Sequence, residues 1–216
     1  MTKFKFSRLS KNIKPFFIAE VGVNHEGSIF NATKLIDAAV EGGASAVKFQ
    51  TYKAEKIAVK NSPYYWNIKK ESTKSQFDLF SKYDGFDFKE YKILANYCQK
   101  RKVEFLSTPF DLDAVDFLNP LMNLFKISSS DITNFPLLEK IASKKKPIIL
   151  STGASSIKEI REAINIIKKN KIKKIILIAP HAFSDGCHSG GGFFIFSDYY
   201  QHLKQTLNFI YEKNYS

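Results

Sequence analysis

The chain has 216 residues, 44% of them apolar and 14% aromatic, which excludes a disordered or fibrous protein and allows one sizeable core. Its 33 basic and 21 acidic residues give a formal net charge of +12, a value that nucleic-acid-binding proteins also reach. The lysines are scattered, however, or stand at expected helix ends such as Lys144 and Lys168, and no nucleic-acid-binding motif accompanies them. We therefore expect no nucleic acid and an anionic small substrate.

Six short apolar runs predict β-strands, because they are too short for buried helices and rich in β-branched or aromatic residues. They begin near residues 16, 46, 103, 124, 147 and 174. Between the second and third runs, residues 51–86 form a long gap that predicts an excursion over one face.

Helical patterns with recognisable ends lie between the predicted strands. Asn31 is predicted to cap the first helix, which Gly42 ends. Asn134 opens a later helix, with Pro136 near a first-turn position where its missing N–H is harmless. Residues 155–159 begin a third helix, whose apolar residues form one stripe.

Alternating strands and helices indicate an α/β fold with a parallel sheet. Polar residues collect at the carboxyl ends of successive strands, which is typical of the active face of a TIM barrel. A Rossmann sheet should instead carry a GxGxxG turn after its first strand, and residues 22–27 lack that spacing. We predict a TIM (β/α)8-type barrel that is incomplete, with about six βα units over residues 1–178.

Residues 179–216 differ in composition from the rest of the chain. They hold two of the 33 basic residues, Lys204 and Lys213, but three of the four histidines and four of the ten glycines. We expect an atypical tail that arose from a shifted reading frame or a replaced terminus. An ordinary helix over residues 199–213 that packs on the barrel is the alternative.

The sequence also predicts a cytoplasmic protein that does not enter a membrane. No uninterrupted apolar run reaches eighteen residues, and the basic N-terminus lacks the apolar stretch of a signal peptide. Cys98 and Cys187 are too few for a disulfide framework, which favours a reducing compartment.

Lysines at two strand ends predict an anion site. Lys48 and Gln50 are two residues apart and face the same side of their strand, as do Lys126 and Ser128. Phosphate or carboxylate ligands would balance the charge, and Glu20 could act as an acid or a base. The alternative is a Glu20–Lys48 ion pair that only fills the mouth of the barrel.

Five blocks in order resemble the sialic acid synthase family, which comprises N-acetylneuraminate synthase and its legionaminate and pseudaminate relatives. The blocks are residues 18–28 (IAEVGVNHEGS), 46–52 (AVKFQTY), 105–110 (FLSTPF), 125–131 (FKISSSD) and 147–153 (PIILSTG). Together they place the resemblance over roughly residues 14–178.

The resemblance implies an enzyme that condenses phosphoenolpyruvate with an N-acylated aldose, such as N-acetylmannosamine, to a nonulosonic acid and phosphate. It assigns phosphoenolpyruvate to Lys48, Thr108, Lys126, Ser129 and Ser151. Gln50 would contact the sugar, and Glu20 would transfer a proton or orient water, so that Glu20, Lys48 and Lys126 form the catalytic set. Asp131 stands among the substrate-binding positions where most relatives carry glutamate.

The resemblance also implies a divalent metal, Mn²⁺ or Mg²⁺, and a homodimer. The family's two metal-binding histidines are missing at their usual places, which leaves His181 and His188 as candidate ligands. Strands seven and eight and the family's C-terminal antifreeze-like domain are also not found in this sequence.

Two other functions remain open at this stage. One is a truncated, catalytically inactive remnant that still binds phosphate. The other is an aldolase in which Lys126 forms a Schiff base with a carbonyl substrate.

Overall fold

The computed structural model describes residues 16–153, 155–172 and 175–178. The predictions for the tail, 179–216, and for the basic N-terminus lie outside these residues. The chain divides into two compact units, residues 1–123 and 124–216.

The first unit is a three-stranded parallel sheet with helices in its connections. Its elements are β1 (Ile18–Gly22), α1 (Ile29–Glu41), β2 (Ala46–Thr51), α2 (Ala54–Ile57), α3 (Gln76–Tyr83), α4 (Phe88–Lys100), β3 (Glu104–Pro109) and α5 (Leu112–Leu118). The strand order is β1-β2-β3. The buried core joins apolar residues of the sheet, such as Phe49, to those of the helices, such as Ile36 and Leu94.

The second unit repeats this arrangement. It contains β4 (Phe125–Ile127), a short 3-10 helix (Ser129–Asp131), α6 (Phe135–Ser143), β5 (Ile148–Ser151), α7 (Ile157–Lys169) and β6 (Ile175–Ile178). The strands are parallel, in the order β4-β5-β6. The α/β class and the parallel strands are therefore confirmed, and each predicted strand start lies within two residues of the observed one.

The long link between β2 and α4 is an excursion that contains α2 and α3. An isolated antiparallel bridge between Pro63 and Ser75 closes its middle part. Its tip is exposed, with Val59 at 69% and Tyr65 at 63% accessibility. Among the helices that the structure describes, none has the length and apolar character needed to cross a bilayer.

The helix ends confirm two of the predicted caps and correct the third. Asn134 caps α6, and Ser156 forms a capping box with Glu159 at the start of α7. Asn31 is not a cap: the side chain of Ser28 accepts from its N–H, and α1 begins at Ile29. Both residue types are good caps, and the turn that precedes Ser28 decides between them.

We expect Ser28→Ala to lower the free energy of unfolding by about 1 kcal/mol, because it removes the acceptor for an otherwise unpaired N–H of the first turn. Asn31→Ala is the matched control and should change stability less, since alanine is the better helix former inside α1. Urea unfolding of the two variants compares them directly. An equal loss in both would contradict the observed cap.

Candidate active site

The carboxyl ends of β1, β2 and β3 bring four predicted site residues to one face of the first sheet. The register pairs Glu20 with Lys48 and Gln50 with Thr108. Because side chains alternate along a strand, Lys48 and Gln50 point to the same side, and their partners on the neighbouring strands point there too. The predicted grouping within this unit is therefore observed.

Lys48 holds the only ion pair that the structure describes on this face. Its ammonium contacts the Glu20 carboxylate and lies 3.4 Å from the hydroxyl of Thr108, to which it donates. The Lys48 side chain is 11% exposed, whereas that of Glu20 is 49% exposed. A nearly buried ammonium therefore contacts one exposed carboxylate and one buried hydroxyl.

Gly22 shapes the space between Glu20 and Gln50. The pairing of β1 with β2 shifts between Glu20 and Gly22, as at a β-bulge, and Gly22 has a φ of +56°. A methyl group on Gly22 would lie 3.5 Å from Glu20 Oε1 and 3.7 Å from Gln50 Nε2. The bare glycine therefore leaves a gap that these two polar groups border, and its left-handed conformation disfavours other residues.

The opposite face of this sheet is built for packing. Thr51 and Ser107 share a hydrogen bond of 2.7 Å, and the Tyr91 hydroxyl donates to the carbonyl of Gln50 at 2.7 Å. Burial raises the pKa of Tyr91 to about 12, so it stays a neutral donor. A cavity of about 940 Å³ opens on this side, lined among others by Thr51, Tyr52, Lys53, Phe86, Tyr91 and Phe117.

The second unit groups the remaining predicted residues. Lys126 lies opposite Ile149, two residues before Ser151, so that Lys126 and Ser151 belong to the same face of the sheet. The Lys126 ammonium donates to the carbonyl of Ile127 at 2.7 Å. Ser129 opens the 3-10 helix that follows β4.

Asp131 ends that 3-10 helix and accepts two side-chain hydrogen bonds. Ser130 donates to one carboxylate oxygen at 3.2 Å, and Asn134 donates to the other at 3.3 Å. Burial raises the pKa of Asp131, while these two donors and the charge of Lys126 act in the opposite direction. Through the hydrogen bonds from Ser130 and Asn134, Asp131 stabilises the turn that follows β4.

The described residues do not form a metal centre. No group of three or more histidine, cysteine, aspartate or glutamate side chains comes together within residues 16–153, 155–172 and 175–178. Glu20, the carboxylate of the predicted site in the first unit, is already paired with Lys48. The candidate ligands His181 and His188 lie outside the described residues.

The sequence analysis missed His25, which is 1% exposed in the loop after β1. Its ring stacks on Phe86 at 4.1 Å between centroids, with 5° between the planes. Its Nδ1 accepts from the N–H of Gly27 at 3.1 Å. A single histidine in a polar stretch does not belong to a periodic pattern of buried residues, so its burial could not be predicted from the sequence. It stood out only as part of the family-like block of residues 18–28.

We expect Glu20→Gln to tighten the binding of inorganic phosphate by about two- to fivefold, because the carboxylate competes with the anion for Lys48. Lys48→Met should weaken binding by roughly 1.5–3 kcal/mol, the value of a charge-assisted hydrogen bond. Titration calorimetry on both variants tests this. Weaker binding by the Glu20→Gln variant would show that Glu20 does not compete.

We also expect a pH-dependent stability that His25 causes. Burial lowers its pKa to about 4 from the ordinary 6.5. Between these values the unfolded chain binds a proton that the folded chain does not, so the free energy of unfolding falls as the pH drops. The full shift corresponds to about 3 kcal/mol.

His25→Phe keeps an aromatic ring against Phe86 but cannot bind a proton. In urea titrations at neutral pH and near pH 4.5, the variant should lose less stability on acidification than the parent chain. Equal losses in the two proteins would assign the acid sensitivity to other groups.

Comparison with known proteins shows which family the chain resembles. The NeuB family profile matches residues 35–184. The N,N'-diacetyllegionaminic acid synthase of Campylobacter jejuni is 44% identical over 176 residues, which cover 80% of this chain and 52% of that protein. The chain spans about half the length of the curated relatives it matches.

Solved structures agree with this assignment. The N-acetylneuraminic acid (sialic acid) synthetase of Leptospira borgpetersenii, in complex with citrate, matches with a TM-score of 0.66 and 36% identity, over 78% of this chain and 56% of that one. A truncated 3-deoxy-D-arabino-heptulosonate 7-phosphate synthase from Thermotoga maritima shares the fold at 18% identity and a TM-score of 0.54, over 75% and 50% of the two chains. These neighbours have TIM-barrel-type folds. The chain belongs to the NeuB family.

Proposed function

We propose that this chain carries the N-terminal, phosphoenolpyruvate-binding part of a sialic-acid-type synthase. The observation that supports it most is the nearly buried ammonium of Lys48, placed between the hydroxyl of Thr108 and the exposed carboxylate of Glu20. A buried cation whose only charged partner is exposed at the site can exchange that partner for an anion. The family membership makes phosphoenolpyruvate the first candidate for the anion.

Each unit contains a lysine and hydroxyl groups that we propose as contacts of the anion. Lys48 and Thr108 come from the first unit, and Lys126, Ser129 and Ser151 come from the second. Lysine is a compact cation that suits a phosphate or carboxylate, and hydroxyls complete the shell of donors. The complex of the Leptospira relative with citrate shows that a member of this group binds a multiply charged carboxylate.

Gln50 forms the proposed sugar side of the site, and Glu20 beside it is proposed to transfer a proton or orient water. In the proposed reaction, C3 of the enol attacks the aldehyde carbon of the open-chain N-acylated sugar, and a new C–C bond forms. Water adds to C2, and the tetrahedral intermediate expels phosphate. Phosphoenolpyruvate, sugar and water thus give a nonulosonic acid and phosphate. Glu20 is suited to accept the proton of the attacking water, and the lysines offset the negative charge.

The finer description of the architecture is also part of the proposal. We infer that the two parallel sheets are six strands of a (β/α)8-type barrel, in which residues 1–178 are the synthase portion and 179–216 an atypical tail. A homodimer and a divalent cation, Mn²⁺ or Mg²⁺, are expected from the family resemblance. The described residues hold no cluster of metal ligands. We therefore assign the roles in the proposed reaction to Glu20, Gln50 and the lysines.

The alternatives make different predictions at Lys126. An aldolase would require a neutral Lys126 amine that attacks the carbonyl carbon of its substrate and forms an imine. A phosphate-binding remnant would have the same anion site as a synthase but would not catalyse the condensation. The first alternative is therefore tested by trapping an imine, and the second by looking for product.

We expect phosphoenolpyruvate to bind the 216-residue chain and to shift the NMR signals of Lys48, Thr108, Lys126 and Ser151. Lys48→Met and Lys126→Met should each weaken binding by roughly 1.5–3 kcal/mol, since each removes one charge-assisted contact. Lys92→Met, a change of an exposed lysine in α4, is the matched control and should leave the affinity unchanged. Equal affinity in all three variants would rule out the proposed site.

Borohydride in the presence of pyruvate separates condensation from imine chemistry. A stable adduct on Lys126 would replace the synthase proposal with the aldolase. Incubation with phosphoenolpyruvate, N-acetylmannosamine and Mn²⁺ then separates the two remaining functions. We expect binding without keto-acid product from this chain by itself, and product formation would show that residues 179–216 complete the site.

A further inference from the structure

His25 lies between two loops and has no role in the proposed reaction. It lies in the connection from β1 to α1, five residues after Glu20, and is 1% exposed. Its Nδ1 accepts from the N–H of Gly27, while its Nε2 has no hydrogen-bond partner among the described residues. Because Nδ1 accepts, the neutral ring carries its proton on Nε2. The ring is therefore held by one hydrogen bond and by packing.

The loop that His25 holds has an unfavourable backbone. Glu26 has a φ of +53°, and Gly27 follows with a φ of +71°. Two successive residues in the left-handed region are unusual, and glutamate is disfavoured there. The bond from the Gly27 N–H to the His25 ring closes the turn around Glu26 and stabilises it from within.

The same ring connects this loop to a second one. His25 stacks on Phe86, which is 3% exposed, and the two rings are nearly parallel. The backbones also meet: a methyl group on Gly85 would lie 3.9 Å from the Cα of Gly27. The connection after β1 and the segment that precedes α4 are thus in contact through side chains, and their main chains approach closely.

Lys53 joins that segment to a third loop, which follows β2. Its ammonium donates to the carbonyls of Asp84, at 3.0 Å, and Phe86, at 3.2 Å, and forms an ion pair of 2.8 Å with Asp87. The N–H of Ala54 donates to the Asp84 carboxylate at 2.9 Å. One ammonium and one carboxylate therefore hold residues 84–87 against the start of α2.

We propose that His25 is a positioning residue that couples the β1–α1 loop to residues 84–86 and, through Lys53, to the loop after β2, so that the three loops move as one. Two of these loops follow the strands that carry Glu20 and Gln50. Within the proposed function, on which this consequence rests, the coupling keeps the sugar side of the site in register with Lys48. Burial lowers the pKa of His25, which keeps Nδ1 an acceptor at neutral pH.

Amide hydrogen exchange in the full chain measures the coupling without any ligand. Gly27 reports the bond to His25, and Ala54 reports the distant bond to Asp84. In His25→Ala, both amides should exchange about fivefold faster or more, as expected when a hydrogen bond weakens by about 1 kcal/mol. A purely local role for His25 would leave Ala54 at the parent rate, and that result would overturn the proposal.

Two further variants separate the hydrogen bond from the stack. His25→Asn keeps an oxygen near the position of Nδ1 but loses the ring, so Gly27 should lose less protection than in His25→Ala, while Ala54 exchanges about as fast as in His25→Ala. Lys53→Met should accelerate exchange at Gly27, because coupling between two sites is reciprocal. Lys92→Met is again the control and should change neither amide. An unchanged Gly27 amide in the Lys53→Met chain would contradict the coupling.

A further test uses the unsubstituted protein and so needs no variant to fold. Nitrogen chemical shifts of the His25 ring at neutral pH should show a protonated Nε2 and an unprotonated Nδ1. The opposite tautomer would remove the bond from which the proposal starts. Because neither measurement uses phosphoenolpyruvate, failure of the coupling and failure of the anion site are told apart.

Discussion

The charge of Lys48 is the constraint on which the first unit depends. With 11% of its side chain exposed, the ammonium needs acceptors that the protein or a ligand must supply. Thr108 offers a hydroxyl and Glu20 offers a carboxylate, and both reach Lys48 because the strands pair in parallel and in register. In the structure these two contacts meet that need, and Glu20, whose side chain is 49% exposed, is the partner that solvent can reach.

The alternation of side chains along β2 separates a polar side of the sheet from a packed one. Lys48 and Gln50 face the polar side, while Phe49 and Thr51 face the opposite side, where Thr51 lines the cavity. The second unit uses the same device on β4, where Lys126 lies between the buried residues Phe125 and Ile127. Repetition of one pattern, a lysine flanked by buried apolar residues near a strand end, gives both sheets the same kind of polar edge.

The sequence predicts what depends on periodicity and composition. The six strands, the parallel order and the shared face of Lys48 and Gln50 follow from short apolar runs and from the two-residue repeat. It could not choose Ser28 over Asn31, because both residues cap well and a turn decides between them. The structural roles of His25 and Gly22 could not be predicted either, because a ring stack and a β-bulge arise from contacts between distant segments.

The contacts of Lys53 have a consequence for the excursion that follows β2. Residues 58–75 include exposed side chains such as Val59 and Tyr65, and exposed loops of this kind are preferred sites of proteolysis. A single cut there would leave two fragments whose ends are still joined by Lys53, Asp84 and Asp87. The nicked chain should therefore migrate as one species until it is denatured, and residues 58–75 are a suitable place for the insertion of a foreign sequence.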